Sequence, residues 1–127
     1  MAKLAPFFPG MRGAWTAGAA LPGGDFPWDG TGALAAVLRG RYAFLDDALA
    51  DRLTHAYGTL AADVLGDART RQDLGEDFGA GLTEREVAWL REREWAHTAE
   101  DMLWRRSKLG LRLTATQVDR VRQVLAA

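Results

Sequence analysis

The clearest helical signals of the sequence lie in LTEREVAWLREREWAHTAEDMLWRRSKLGLRLTATQ, residues 82–117. Three times within it, a threonine is followed three residues later by a side chain that can accept a hydrogen bond: Thr83 and Glu86, Thr98 and Asp101, Thr114 and Gln117. In a capping box, the threonine oxygen accepts from an amide of the first turn, and the second side chain accepts from the amide of the threonine. The spacing therefore predicts three helices that begin in close succession.

Upstream of this stretch, apolar residues also recur at helical spacing. Leu45, Leu49 and Leu53 repeat every four residues, and Gly58 follows as a stop signal. Shorter helices are predicted within residues 31–40 and 59–66, and residues 73–81 (DLGEDFGAG) are predicted to form a glycine-rich loop. Because no alternating strand pattern of useful length occurs, the expected fold is all-α, a compact multi-helix orthogonal bundle.

The first thirty residues have a different composition. They contain all four prolines of the chain and many of its glycines, which is typical of irregular, turn-rich backbone. They also carry a high density of aromatic residues: Phe7, Phe8, Trp15, Phe26 and Trp28. We therefore expect a single domain of residues 1–127, in which an irregular segment (1–30) packs on a helical domain (31–127).

Composition and motifs argue against several classes of function. The 16 basic residues are balanced by 17 acidic ones, whereas a dedicated nucleic-acid-binding domain carries an excess of Lys and Arg. The chain has no cysteine, and its two histidines, His55 and His97, lack the spacing of paired metal ligands. It also lacks the dinucleotide-binding, phosphate-loop, zinc-protease and serine-hydrolase motifs. We therefore predict no catalytic, cofactor-binding or metal-binding residue in this chain.

No targeting or membrane-spanning segment is expected. No apolar run approaches the roughly 20 residues needed to cross a bilayer. Pro6 and Pro9 interrupt the apolar stretch near the N-terminus, which therefore lacks the continuous core of a signal peptide. The sequence predicts a soluble, cytoplasmic protein.

The charged residues near the centre of the opening stretch divide by their angle around a helix. At 100° per residue, Met102, Leu103 and Leu109 define an apolar face that also contains Arg106. Because an uncompensated buried charge is costly, Arg106 is expected to pair with Glu94, which occupies the apolar arc of the preceding helix. The sequence thus predicts a buried or half-buried structural ion pair, Glu94 and Arg106, linking two consecutive helices.

Three further residues are candidate interface residues: Trp89, Arg105 and Lys108. Trp89 lies opposite the apolar arc of its helix, which fits either a second cluster within the domain or a contact with another domain or subunit. Arg105 and Lys108 lie on the polar side, where Asp101 can pair with Arg105 at i,i+4. These two bases fit either a solvated face or a contact with phosphate or an anionic lipid.

At these residues the chain resembles a known family. Residues 82–114, with the EW pair at Glu94 and Trp95, are similar to the C-terminal helical domain of the FAD-dependent, quinone-linked (aerobic) glycerol-3-phosphate dehydrogenases. DLGEDFG (residues 73–79) and AWTAGAALPGGD (residues 14–25) are similar to the same domain. The resemblance runs over nearly the whole chain in consistent order. Ser107 stands where threonine is common in the family, and it keeps the hydroxyl.

The resemblance implies a function for the parent enzyme. Members of the family oxidise sn-glycerol 3-phosphate to dihydroxyacetone phosphate and pass the electrons to FAD and then to a membrane quinone. They are peripheral proteins on the cytoplasmic face of the inner membrane, and their flavin and substrate sites belong to an N-terminal domain. The chain is therefore expected to be a detached, non-catalytic C-terminal domain that is inactive alone and binds no cofactor itself. Its expected partner is the flavin/substrate domain of the same enzyme, and it would meet a membrane only through that enzyme.

Two alternatives stay open from the residues alone. The chain could be a free-standing helical protein-interaction module, or a small nucleic-acid-binding domain that uses residues 105–112, although the near-zero net charge disfavours the latter. The aromatic residues of the N-terminal segment are likewise open to two interpretations. They would cover either the helices of this domain or a surface that faces the flavin domain.

Overall fold

The computed structural model describes residues 5–10, 12–13 and 15–126. Within this range the chain forms five α-helices, one π-helix and one two-stranded antiparallel hairpin. The α-helices are α1 (Thr31–Arg41), α2 (Asp47–Tyr57), α3 (Ala61–Leu65), α4 (Glu84–Arg93) and α5 (Ala115–Ala126). The π-helix spans Asp101–Arg106, and the hairpin pairs β1 (Asp77–Gly79) with β2 (Leu82–Thr83). Short 3-10 turns occur at Ala5–Phe7, Thr16–Gly18, Gly58–Leu60, Arg71–Leu74 and Leu109–Leu111.

The predicted compact, mostly helical fold is confirmed, with one local difference. Part of the predicted glycine-rich loop at residues 73–81 belongs to the hairpin. Its strands are only three and two residues long, so no alternating apolar pattern could reveal them. Phe78 and Leu82 are nevertheless buried, and the hairpin therefore contributes to the core.

Buried side chains form two clusters. The first joins α1, α2, α3 and the turn before the hairpin through Ala35, Leu38, Tyr42, Leu45, Leu49, Ala50, Leu53, Ala61, Val64, Leu65, Ala68 and Leu74. The second joins the hairpin, α4, the π-helix and α5 through Phe78, Leu82, Val87, Leu90, Ala96, Ala99, Met102, Leu103, Leu109 and Val121. Tyr57 and Trp89 pack against both clusters, so they connect the two halves of the core.

Two of the three predicted capping boxes form completely. The Thr98 N–H donates to the Asp101 carboxylate at 3.0 Å, and the Asp101 N–H donates back to Thr98 Oγ1 at 3.1 Å. Thr114 and Gln117 make the same reciprocal pair, at 2.8 and 3.3 Å. These bonds satisfy amides that have no partner within the helix, and they confirm where the π-helical segment and α5 begin.

One close backbone contact holds the turn before α1 against the end of α2. Gly58 has a φ of +56°, and the Thr59 N–H next to it donates to the Gly23 carbonyl at 3.0 Å. A Cβ at Gly58 would lie 1.9 Å from that carbonyl oxygen. Both the backbone angle and the close approach therefore require glycine at this position.

Most aromatic side chains of the N-terminal segment are exposed. The exposed fraction is high for Phe7, Phe8, Trp15 and Trp28, whereas Phe26 is half-buried. The division into an irregular segment (1–30) that packs on a helical domain (31–127) stays a prediction. Residues 1–4, 11 and 14 of the segment, and residue 127 of the helical part, lie outside the described residues.

Within the part of the chain that the structure describes, no helix is both long enough and apolar enough to cross a membrane.

Candidate functional site

Tyr57 and Trp89 meet where the two core clusters join. Tyr57 is the last residue of α2, and Trp89 lies in the middle of α4. Their rings contact edge to face, with centroids 5.1 Å apart and an interplanar angle of 71°. Trp89 is half-buried, so it packs within the domain and also presents part of its surface outward. Its predicted role at an interface stays a prediction.

A buried ion pair lies beside Tyr57. Glu86 is only 1% exposed, and its carboxylate accepts hydrogen bonds from Arg52 Nη1 at 2.9 Å and Arg52 Nη2 at 2.6 Å. Tyr57 Oη donates a third bond at 2.6 Å, and Arg52 Nη2 also donates to the Gly81 carbonyl at 2.7 Å. A buried carboxylate needs such a set of charged and neutral donors to offset its lost hydration. The network joins α2 to α4 and to the turn of the hairpin.

The network changes the acidity of the Tyr57 hydroxyl. Burial disfavours the phenolate, and the negative charge and hydrogen bond of Glu86 disfavour it further, so the pKa of Tyr57 is raised above its ordinary value. Tyr57 therefore acts as a hydrogen-bond donor to Glu86 across the neutral pH range. This is a structural use of the hydroxyl within the core.

Sequence reasoning places Glu86 in a capping box with Thr83, and the structure corrects half of that prediction. Thr83 Oγ1 does accept from the Glu86 N–H, at 3.4 Å, but the Glu86 carboxylate turns inward to Arg52 and Tyr57. One feature of the sequence does indicate that Glu86 points inward: it lies four residues before the buried Leu90 and therefore on the same side of α4. Nothing in the spacing identifies Arg52, 34 residues earlier, as the partner.

Trp89 lines two adjoining concavities at the surface, which together we call the Trp89 groove. They have volumes of about 640 and 380 Å³ and share Pro22, Leu60, Trp89 and Glu94 in their walls. The larger one lies between α3 and α4, and the smaller one lies between the turn before α1 and the end of α2. The Gly23–Gly58 contact therefore forms part of the groove, because it fixes the turn that carries Pro22.

The predicted Glu94–Arg106 pair lies at one end of this region. Arg106 Nη1 is 3.6 Å from Glu94 Oε2, which is within range of an ion pair but longer than a hydrogen bond. The side chains are 44% and 36% exposed, so the contact is half-exposed rather than buried. Whether the pair stabilises the fold stays a prediction.

The π-helix explains why Arg106 is less buried than its helical angle suggests. The Ser107 N–H donates to the Met102 carbonyl five residues earlier, at 3.0 Å, and each residue therefore turns through less than the 100° of an α-helix. Met102 and Leu103 still point fully into the core, as predicted. The angular error accumulates along the segment and moves Arg106 out of the buried face.

Trp95 lies just beyond the end of α4 and points away from the core. The helix ends at Arg93, and Trp95 then takes a φ of +54° and is 80% exposed. The Ala96 N–H donates to the Leu90 carbonyl at 3.2 Å, so the chain folds back over the helix end. A positive φ at a residue other than glycine costs about 1 kcal/mol, and here the exposed indole gains little burial in return.

Arg105 and Lys108, the other two candidate interface residues, are exposed. Arg105 pairs with Asp101 one turn earlier, and the Lys108 ammonium donates to the Trp104 carbonyl. The structure brings neither of them to the Trp89 groove. Their role at an interface stays a prediction. Among the described residues, no group of three or more His, Asp or Glu side chains is arranged to hold a metal ion.

Comparison with known proteins decides the family. The family model for the C-terminal domain of alpha-glycerophosphate oxidase matches residues 14–127. The chain belongs to this family. The resemblance inferred from the sequence is therefore confirmed, and the match includes both the turn before α1 and all five α-helices.

Individual relatives of this domain family are similar over almost the whole chain. A glycerol-3-phosphate dehydrogenase of Pseudomonas aeruginosa is 47% identical over 98% of the chain, and an aerobic glycerol-3-phosphate dehydrogenase of Escherichia coli is 45% identical over 97%. A D-erythritol 1-phosphate dehydrogenase of Brucella abortus is 39% identical over 92%. The matched part makes up 24%, 24% and 23% of these relatives, so the chain spans about a quarter of their length.

Proposed function

We propose that the chain is the non-catalytic C-terminal helical domain of an FAD-dependent enzyme that oxidises sn-glycerol 3-phosphate to dihydroxyacetone phosphate. The observation that carries the proposal is the similarity of 98% of the chain, at 47% identity, to about a quarter of a glycerol-3-phosphate dehydrogenase. The resemblance of residues 82–114 to the same enzymes supports it independently of that one relative. The partner of the domain is the flavin/substrate domain of the same enzyme.

The described residues do not fit a flavin site. Dinucleotide cofactors bind to a parallel βαβ unit with a glycine-rich turn, whereas β1 and β2 form an antiparallel hairpin of three and two residues. The deeply buried polar groups near Trp89 are committed to each other, since Glu86 receives bonds from both Arg52 and Tyr57. We therefore propose that FAD, which accepts two electrons in such an oxidation, is bound by the part of the enzyme outside this chain. The passage of electrons to a quinone, and a location on the cytoplasmic face of the membrane, follow from the resemblance in the same way.

The alternatives of a free-standing interaction module and of a nucleic-acid-binding domain are not favoured. The family match covers the basic stretch at residues 105–112 and residues 14–30 of the N-terminal segment, so both belong to the domain family and need no separate function. Arg105 is also paired with Asp101, and this ion pair reduces the positive charge available to bind the phosphate groups of a nucleic acid.

An assay on the complete protein that contains this chain tests the proposal. We expect the purified complete protein to show flavin absorbance and to reduce a dye acceptor when sn-glycerol 3-phosphate is added. The 127-residue chain, purified alone, is expected to be colourless and inactive. D-Erythritol 1-phosphate serves as the competing substrate, because one relative is named for it. Reduction driven only by erythritol phosphate would contradict the proposed substrate, and a complete protein without flavin would contradict the proposed enzyme class.

A further inference from the structure

Two exposed tryptophans lie close in sequence to residues that line the Trp89 groove. Trp28 is 94% exposed and lies two residues after Phe26, which lines the smaller concavity. Trp95 is 80% exposed and follows Glu94, which lines both concavities. Single exposed apolar side chains are common, but two exposed indoles on the segments that form the walls of one groove are typical of an interaction surface.

The position of Trp95 is fixed by buried neighbours. Leu90 and Ala96, which are linked by a backbone hydrogen bond, are 1% and 0% exposed. The indole of Trp95 is therefore held outward on a rigid support, in a backbone conformation that side chains rarely adopt. A strained, exposed residue on a rigid element is what a preorganised contact requires.

The charges around the groove favour a protein surface as the occupant. Its walls carry acidic residues from α3, from α4 and from the position after α4, interspersed with bases of α4: Asp63, Arg85, Glu92, Arg93 and Glu94. An apolar centre with a mixed polar rim is typical of contacts between proteins. Nucleic acids and anionic membranes select surfaces of predominantly positive charge, which this groove does not offer.

The connectivity of the chain indicates which protein surface it is. Pro22, in the wall of the groove, belongs to the N-terminal segment that leads into α1, so a preceding domain is covalently joined to a segment that forms one wall of the groove. The family is a C-terminal domain, and the chain spans about a quarter of the length of its relatives. Covalent connection makes contact with a preceding domain intramolecular, which gives that domain an effective concentration that a second copy in dilute solution lacks.

We propose that the Trp89 groove, with Trp28 and Trp95 on its borders, is the surface on which the flavin domain of the same polypeptide is seated. This inference rests on the proposed function, because that function supplies the preceding domain. Two tryptophans bury roughly 300–500 Å² when covered, which is a large part of an interdomain interface of about 600–1,500 Å². The tryptophans thus act as the anchors of the contact.

The test compares the same substitutions in two proteins. Trp28→Ala combined with Trp95→Asn removes both indoles, and asparagine tolerates the positive φ at residue 95. Val37→Ala combined with Leu111→Asn is the matched control, since these side chains are 69% and 76% exposed and, unlike the two tryptophans, lie more than two residues from any residue that lines the groove. Each pair is introduced into the 127-residue chain and into the complete protein, and the thermal midpoints are measured by calorimetry.

We expect the tryptophan pair to leave the midpoint of the isolated chain within about 1 °C of its original value and to lower that of the complete protein by at least about 3 °C, with no such loss for the control pair. An unchanged complete protein would overturn the proposal. So would a midpoint of the isolated chain that depends on protein concentration and falls with the tryptophan pair, because that result assigns the surface to a second copy. If the complete protein fails to oxidise sn-glycerol 3-phosphate, the proposed function falls, while the midpoints still decide the docking surface.

Discussion

The hydroxyl of Tyr57 donates a 2.6 Å hydrogen bond to the buried carboxylate of Glu86. This bond joins the end of α2 to the first turn of α4, and the ring of Tyr57 also contacts Trp89. Arg52 binds the same carboxylate through two nitrogens, so three side chains from two helices share one buried charge. Tyr57, which lines the Trp89 groove, is therefore held in place by a polar network as well as by apolar packing.

Removing the charge of Glu86 is expected to destabilise the domain strongly. In Glu86→Gln, the guanidinium of Arg52, only 14% exposed, loses its counterion, which costs about 3 kcal/mol of the free energy of unfolding. Urea denaturation of the 127-residue chain measures this loss. Glu100→Gln is the control, because Glu100 pairs with Arg122 on the surface, where both side chains are 52% exposed, and no resolvable change is expected. Equal stability of the two variants would contradict a structural role for the buried pair.

Tyr57→Phe is expected to change how stability depends on alkaline pH. The pKa of Tyr57 is raised in the folded state by burial and by Glu86, so its stabilising contribution is complete below the unfolded pKa of about 10. Above that pH the unfolded chain loses the Tyr57 proton and the folded chain keeps it, which lowers the free energy of unfolding by about 1.4 kcal/mol per pH unit.

The measurement is urea denaturation between pH 9 and 11, read as the difference between the original chain and Tyr57→Phe. The original chain should lose stability faster, and the difference should narrow as the pH rises. Parallel curves across this window would show that Tyr57 ionises equally in both states, contrary to the structure.

Asp101 is expected to titrate well below an ordinary aspartate. Hydrogen bonds from the Thr98 side chain and backbone, assisted by Arg105, lower the pKa of Asp101 to about 2. Its contribution to stability is therefore present above the unfolded value of about 3.8 and is lost as the pH falls through 2. Carboxyl NMR titration should find the midpoint near 2 and show it rising in Thr98→Val, which keeps the shape but not the hydroxyl. A midpoint near 3.8 in the original chain would contradict the capping box.

Two glycine-to-alanine substitutions are expected to have opposite effects. Gly58→Ala forces a Cβ to within 1.9 Å of the Gly23 carbonyl at a φ of +56°, and should cost more than about 1 kcal/mol. Gly40→Ala in α1 meets no atom within 4 Å and should stabilise by about 0.5–1 kcal/mol. Thermal unfolding compares them directly. An unchanged stability of Gly58→Ala would mean that the Gly23 carbonyl does not pack against Gly58 as described.

Local signals explain what the sequence predicts correctly. The capping boxes at Thr98 and Thr114 depend on side chains three residues apart, and the burial of Met102 and Leu103 depends on helical spacing within one segment. Contacts within a few residues are fixed by backbone geometry, so spacing alone predicts them. The same holds for Gly58, where the predicted stop of α2 coincides with a positive φ.

The parts that escape prediction depend on contacts far apart in the chain or on departures from regular geometry. Arg52 and Glu86 are 34 residues apart, and no periodicity pairs them. The π-helix changes the angle per residue, so Arg106 lies away from the buried face to which regular helical spacing assigns it. Trp95 follows the end of α4 at a positive φ, a conformation that its residue type does not suggest. These three features surround or adjoin the candidate site, where the sequence was least informative.

The solvent accessibility of Trp28 and Trp95 in the complete protein shows whether a preceding domain covers the Trp89 groove. Hydroxyl-radical footprinting compares their oxidation rates in the 127-residue chain, where they are 94% and 80% exposed, with those in the complete protein. Trp104, which is 43% exposed and is far in sequence from every residue that lines the Trp89 groove, serves as the internal reference. If the groove seats the preceding domain, both tryptophans are protected severalfold relative to Trp104 in the complete protein. Unchanged oxidation of both tryptophans would contradict the account.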